Sequence, residues 1–244
     1  MSILTDKFLN IGSIIEQISP AQPCLLCGAF SHDGPWCKAC DASLPYLDAA
    51  CCPQCALPTL HGAICGRCLK HKWQFDRTVA VFAYAFPLDK LVQALKFGER
   101  LLLAESLAKR LAMRVVVRPD CIAPMPLHAA RTRERGFNQS LELARCIAHR
   151  LGIPLLPHAC ERVRDTPPQS ALAWKDRKRN VRKAFACTQD FSGKHVAVVD
   201  DVMTSGASLH EVATALRRAG ACEVSAWVVA RTLPHEKGRR LQFP

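Results

Sequence analysis

Two stretches of this chain repeat one cysteine pattern. CLLCGAFSHDGPWCKAC (24–40) and CPQCALPTLHGAICGRC (52–68) both read C-x2-C-x9-C-x2-C, offset by 28 residues. A C-x2-C step makes a tight turn that points two thiolates at one cation, and two such turns complete the sulfur tetrahedron of a structural zinc. The spacing assigns Cys24, Cys27, Cys37 and Cys40 to one zinc and Cys52, Cys55, Cys65 and Cys68 to a second. Interleaved pairing between the repeats, or a single occupied site, is the alternative arrangement. A four-thiolate site leaves no coordination position for water, so these metals fold the region and do no chemistry.

Nine of the 14 cysteines fall within residues 24–68. The N-terminus lacks a basic stretch followed by an apolar export core, and no long uncharged apolar run appears, so the chain reads as cytoplasmic and its cysteines as ligands rather than disulfides. Cys121, Cys146, Cys160, Cys187 and Cys222 are isolated in sequence and read as small buried hydrophobes. Before the first quartet, Leu4, Phe8, Ile11, Ile15 and Ile18 carry the spacing of an amphipathic helix.

After Trp73 the pattern changes. TVAVFAYAF (78–86) predicts a strand, Asp89–Arg114 has helical periodicity with a break near Gly98, and CIAPMP is a short strand running into a Pro-bounded loop. Gln139–Leu151 reads as a helix closed by Gly152. Alternating strands and helices define an α/β domain, dividing the chain into a zinc-binding part, 1–75, and an α/β part, 76–244.

VAVVDDVMTSGASLHEVATALRRAG (196–220) is the most informative stretch of that second part. Val196–Val199 is a Val-rich run suited to a parallel strand covered on both faces. Leu209, Val212, Ala213 and Leu216 recur at helical spacing, Gly220 ends the helix, and VSAWVVA (224–230) supplies the next strand. The resulting βαβ unit places Asp200–Ala207 at the carboxyl edge of the sheet, where ligands of open α/β sheets bind. Thr204, Ser205, Gly206, Ala207 and Ser208 offer N–H groups and hydroxyls at a helix N-terminus, a setting for a phosphate. Neither a Walker A loop nor a dinucleotide G-x-G-x-x-G is present.

The chain holds 33 Lys plus Arg against 21 Asp plus Glu, a formal net charge of +12. Residues 129–183 hold 13 of those bases and 5 of the acids, so most of the excess is local. It comes as Arg131, Arg133 and Arg135, then Lys175, Arg177, Lys178, Arg179, Arg182 and Lys183. Such clusters are either solvated faces or surfaces for phosphate or single-stranded nucleic acid.

The thirteen residues Val196–Ser208 resemble the signature of the type I phosphoribosyltransferases: four apolar positions, two acids and a T-x-G-x-[ST]-like loop, with Ser208 where Thr is commoner. Together with the tandem quartets, LVQALKFGER, APMPLHAARTRERGFNQS and QSALAWKDRKRNVRKAF, nearly the whole chain resembles the ComF competence-protein family. The resemblance implies a type I phosphoribosyltransferase-like parallel sheet flanked by helices, behind a small double zinc ribbon. It implies Asp200 and Asp201 on the ribose hydroxyls of phosphoribosyl pyrophosphate, as the catalytic pair if transfer occurs, and Thr204, Ser205, Gly206, Ala207 and Ser208 on its 5′-phosphate. Mg²⁺ would accompany the ligand, with its pyrophosphate near Met125–His128 and Lys96, Arg133 and Arg135 as neutralising bases. The implied role is DNA uptake and natural transformation, with contact with uptake machinery at the inner membrane; from the basic cluster itself, Arg177, Lys178, Arg179 and Arg182 are the candidates for single-stranded DNA. The alternative is an active phosphoribosyltransferase of nucleotide metabolism with a nitrogen acceptor.

Overall fold

A computed structural model of the chain describes residues 22–32, 34–97, 101–128, 131–133, 136–163 and 183–234. The helix expected over 3–18 lies outside these residues, as do Arg135, Arg177, Lys178, Arg179 and Arg182. The chain forms two compact units, Met1–Ser43 and Leu44–Pro244. In the smaller, β1 (Gln22–Pro23) pairs antiparallel with β2 (Phe30–Ser31), followed by α1 (Lys38–Ala42).

The larger unit begins with the second cysteine quartet and α2 (Gly66–Lys70). It continues through β3 (Arg77–Ala83), α3 (Leu88–Phe97), α4 (Leu101–Met113), β4 (Cys121–Pro124) and α5 (Gln139–Leu151). Then come β5 (Cys160–Arg162), β6 (Phe185–Cys187), β7 (His195–Met203), α6 (Ala207–Arg218) and β8 (Glu223–Arg231). Strands β3, β8, β7 and β4 form a sheet in that spatial order with every pairing parallel. The sheet is the expected α/β architecture, and α6 connects β7 to its parallel neighbour β8.

Strands buried on both faces need two apolar coverings. Val196 and Val198 of β7 and Val224, Ala226 and Val228 of β8 join one core cluster with Leu209, Val212, Ala213 and Leu216 of α6. Cys52, Cys55, Leu57, Cys68 and Phe75 belong to the same cluster, so the second quartet packs into the core of the α/β domain. On the opposite side α4 packs against β3 and β8, and α5 against β4 and β7. Burial of roughly 25 cal/mol per Å² of apolar surface on both faces is what holds β7 at the centre.

Several boundaries differ from the sequence reading. β7 does not stop at Val199 but runs through both acids to Met203, because β8 is equally long and Met203 pairs with Arg231. The helical stretch after Asp89 resolves into α3 and α4 on either side of Gly98. The hairpin-like pair β5 and β6 was not anticipated, since three-residue strands carry too few residues to show a period.

Candidate functional site

The cysteine quartets repeat in geometry as they do in sequence. Cys24 N donates to Ala29 O and Cys52 N to Leu57 O, both at 2.7 Å. Cys37 N donates to Cys24 Sγ and Cys65 N to Cys52 Sγ, both at 3.4 Å. Gly28 and Ala56 take the same positive φ, 75° and 54°, so the turn is kept even where alanine replaces glycine. Within each quartet the four sulfurs lie inside 4.8 Å of one another. A zinc tetrahedron with bonds of about 2.3 Å has sulfurs about 3.8 Å apart, and the Cys27–Cys37 and Cys55–Cys65 separations are 3.8 and 3.6 Å. Burial opposes ionisation of Cys24, yet N–H groups aimed at its sulfur bring it down to about 6. In the second quartet the same competition leaves Cys52 at about 7, while burial pushes Cys55 up to about 11.

The acidic pair lies where β7 outruns its neighbour. β4 pairs with β7 only as far as Pro124 opposite Val199; beyond that point Asp200 and Asp201 face the loop that leads into α5. Asn138 caps α5 by accepting from Ser140 N (3.0 Å) and holds the loop by donating to Met125 O (3.1 Å). The first two residues of α5 are thereby turned on the acids. Ser140 Oγ donates to Asp200 Oδ1 (3.0 Å) and Gln139 Nε2 to Asp201 Oδ2 (3.5 Å). Both carboxylates thus sit at a helix N-terminus, which favours negative charge. Lys96, near the end of α3, reaches Asp201 Oδ2 at 2.9 Å.

The electrostatics of the pair are divided between its members. Burial and the neighbouring Asp201 charge push the Asp200 carboxyl up to about 7, against the opposing effects of the Asp201 N–H, Ser140 and Lys96. Burial works against the Lys96 ammonium, but the Asp201 carboxylate outweighs it and holds Lys96 above its ordinary range. Near neutral pH one proton therefore moves on and off Asp200, while Lys96 remains a cation.

Met203 leads into the loop Thr204–Ala207. Gly206 caps α6 at φ 81°, and a Cβ there would stand 2.8 Å from Met203 Cε and 3.3 Å from the Trp73 ring, so only glycine fits without a shift. Ser205 Oγ accepts from Ala207 N at 3.3 Å. From behind, the loop is gripped by the second ribbon. Arg67 of α2 donates to Ser205 O (2.5 Å) and lies 5.0 Å over Trp73. Arg231, 1% exposed, donates through Nε to Cys55 O (2.7 Å) and through Nη1 to Met203 O (2.9 Å), Thr204 O (2.5 Å) and Thr232 O (2.8 Å). A cavity of about 210 Å³ lies beside this contact, walled by Arg67, His71, Trp73, Ser205 and His210 among others.

Of the residues singled out from sequence, the fold brings Lys96, Asp200 and Asp201 into direct contact and places Thr204–Ser208 just downstream, in the loop after β7 and the first turn of α6. Arg133 is exposed, on a short helical stretch before α5. Gln139, Ser140, Arg67 and Arg231 were not picked out. The Asn-Gln-Ser start of α5 carries a recognisable cap, and Arg67 stands where the first repeat has Ala39, a difference visible on aligning the repeats.

Residues 101–241 match the family model of the phosphoribosyl transferase domain, and residues 14–69 that of the double zinc ribbon domain. The fold and the quartets thus define a phosphoribosyltransferase-type α/β domain carrying a double zinc ribbon, with the two quartets as its zinc sites. The DNA utilization protein YhgH of Salmonella typhimurium is 39% identical over 222 residues, covering 86% of this chain and 97% of that protein. Competence protein F of Haemophilus influenzae is 32% identical over 208 residues, covering 81% of this chain and 85% of that protein. Competence protein ComFC of Bacillus subtilis is 27% identical over 235 residues, covering 86% and 95%. The chain belongs to the ComF family.

Proposed function

We propose that this protein binds phosphoribosyl pyrophosphate with Mg²⁺ at the carboxyl edge of its sheet and uses that site in the handling of incoming single-stranded DNA in the cytoplasm. The observation that carries the reading is the adjacency of Asp200 and Asp201 to a glycine-capped loop at the N-terminus of α6. Carboxylates there accept hydrogen bonds from ribose hydroxyls, and the loop N–H groups and hydroxyls of Thr204–Ser208 take the 5′-phosphate. The donor set fits Mg²⁺, a hard cation that prefers carboxylate oxygen. Asp200 and Asp201 would hold the ion together with the ligand, and it would neutralise the pyrophosphate charge. Lys96, paired with Asp201, would turn to the pyrophosphate, with Arg133 and Arg135 as further bases.

The names of the relatives, which refer to DNA utilization and competence, support the DNA role. Arg177, Lys178, Arg179 and Arg182 are the bases assigned to the strand, with partners in the uptake machinery. Among the described residues no helix is long and apolar enough to cross a membrane. Calorimetric titration of the full chain with phosphoribosyl pyrophosphate and Mg²⁺ tests the site: saturable binding is expected, lost in Asp201→Asn. Repeating the titration with single-stranded DNA present tests the coupling. Absence of binding in the parent protein overturns the reading.

The phosphoribosyl transferase match over 101–241 supports a second reading, catalysed transfer to a nitrogen acceptor. Pyrophosphate release across an acceptor panel, abolished by Asp201→Asn, is its expected signature; no release with any acceptor refutes it.

A further inference from the structure

Cys160 and Cys187, isolated in sequence, are face to face in the fold. They open β5 and close β6, and the antiparallel register pairs them with each other. Val163 N donates to Ala184 O at 2.9 Å and Thr188 N to Ala159 O at 3.4 Å. These bonds mark 163 with 184, and 159 with 188, as hydrogen-bonded pairs. Hydrogen-bonded and non-hydrogen-bonded pairs alternate along an antiparallel ladder, so Cys160 with Cys187 is a non-hydrogen-bonded pair, the kind whose Cα atoms stand about 4.5 Å apart. That separation is within the window of about 4.4–6.8 Å for a disulfide. The sulfurs lie 3.0 Å apart, about 1 Å beyond a bond of about 2.04 Å.

The two thiols are not equivalent. Cys160 is 5% exposed and belongs to the main core cluster, while Cys187 is partly open. The hydrogen bond between them favours a thiolate on Cys187 and a thiol on Cys160, and burial adds to the latter. A zinc role is not offered: among the described residues the clusters of three or more metal-ligating groups are the two quartets.

We propose that Cys160 and Cys187 are a redox modification site, converted reversibly to a cross-strand disulfide by a low-molecular-weight disulfide such as oxidised glutathione. The Cys187 thiolate attacks one glutathione sulfur, forming a mixed disulfide and expelling one glutathione thiolate. Cys160 gives its proton to that thiolate and attacks Cys187 Sγ, expelling the second glutathione. Two protein thiols are oxidised by two electrons and one glutathione disulfide is reduced to two thiols. The bond closes a loop around residues 161–186, which hold eight Lys plus Arg and three Asp plus Glu. Oxidation therefore ties together the two ends of a strongly basic segment. None of this depends on binding of phosphoribosyl pyrophosphate.

The test is to equilibrate the zinc-loaded full chain in glutathione buffers of increasing oxidising strength, alkylate the remaining thiols, digest with trypsin and weigh the peptides, following released zinc with a chromogenic chelator. The expected product joins peptide 151–162 to peptide 184–194, lighter by two hydrogens, formed before zinc is released and reversed by dithiothreitol. In Cys160→Ala, glutathione should stay trapped on Cys187; in Cys187→Ala, Cys160 should stay free. Both residues remaining free thiols until zinc is lost, or trapping on Cys160 in the second variant, overturns the proposal.

Discussion

Replacing Arg231 by methionine is the sharpest test of how the second zinc ribbon supports the loop Thr204–Ala207. The guanidinium is buried, and its hydrogen bonds end on backbone carbonyls of Cys55, Met203, Thr204 and Thr232. Burial draws its pKa down, and the nearby Cys55 and Cys68 thiolates work against that effect. A Zn²⁺ held by four thiolates carries a net charge of about −2, so the loaded quartet is the counter-charge of this cation. Hydrogen bonds from a charged donor are worth about 1.5–3 kcal/mol each. Met203 O keeps a second donor, Thr232 N at 3.0 Å, whereas the other three carbonyls lose the bond from Arg231. Methionine also removes the desolvation penalty of the cation, so the sum overstates the loss. Breaking buried ionic constellations costs about 3–5 kcal/mol, the expected effect here. In a unit of this size that is a fall in Tm of roughly 6–20 °C. Thermal melts in excess zinc measure it, and chelator competition should show faster zinc loss from the second quartet with the first unchanged. Arg231→Lys, which keeps the charge but not the fork, should fall between. A loss under about 1 kcal/mol, or equal acceleration of zinc loss from both quartets, would refute the reasoning.

Three further expectations concern the acids and the loop. Asp200 titrates at about 7 against about 3.9 when unfolded; between those values the native protein holds a proton that the unfolded chain lacks, so stability falls as pH rises from about 4 to about 7. Asp200→Asn should remove that slope, worth about 4 kcal/mol over the whole range and about 2.7 kcal/mol between the two urea melts at pH 5 and pH 8 that would measure it; a slope left intact would assign the titration elsewhere. Lys96→Met strands the Asp201 carboxylate, 5% exposed as a residue, and should destabilise by about 2–3 kcal/mol. Adding Asp201→Asn should recover at least about 1 kcal/mol in a double-mutant cycle, and strict additivity would deny the ion pair. Gly206→Ala forces a left-handed φ on alanine and a methyl against Met203 and Trp73, with an expected loss of about 1–3 kcal/mol and faster amide exchange over Thr204–Ser208; exchange that is unchanged would count against the tight loop.

What was legible in the sequence was local and periodic. The 28-residue cysteine repeat pointed to two four-sulfur sites and their matching turns, because ligand spacing within one loop leaves the backbone few ways to converge on one ion; that each quartet closes on itself rather than interleaving was decided by the fold. The run Val196–Val199, the helical spacing from Leu209 to Leu216 and VSAWVVA determined a parallel strand-helix-strand unit with the acids at its carboxyl edge. Tertiary structure alone decided the long-range meetings: Lys96 and Gln139 with Asp201, Ser140 with Asp200, Cys160 with Cys187, and Arg231 with Cys55 across 176 residues. Such contacts arise from how β4 stops short of β7 and how the second ribbon enters the core. Neither leaves a period or a spacing in the chain, because packing joins residues by shared buried surface rather than by their distance along the sequence.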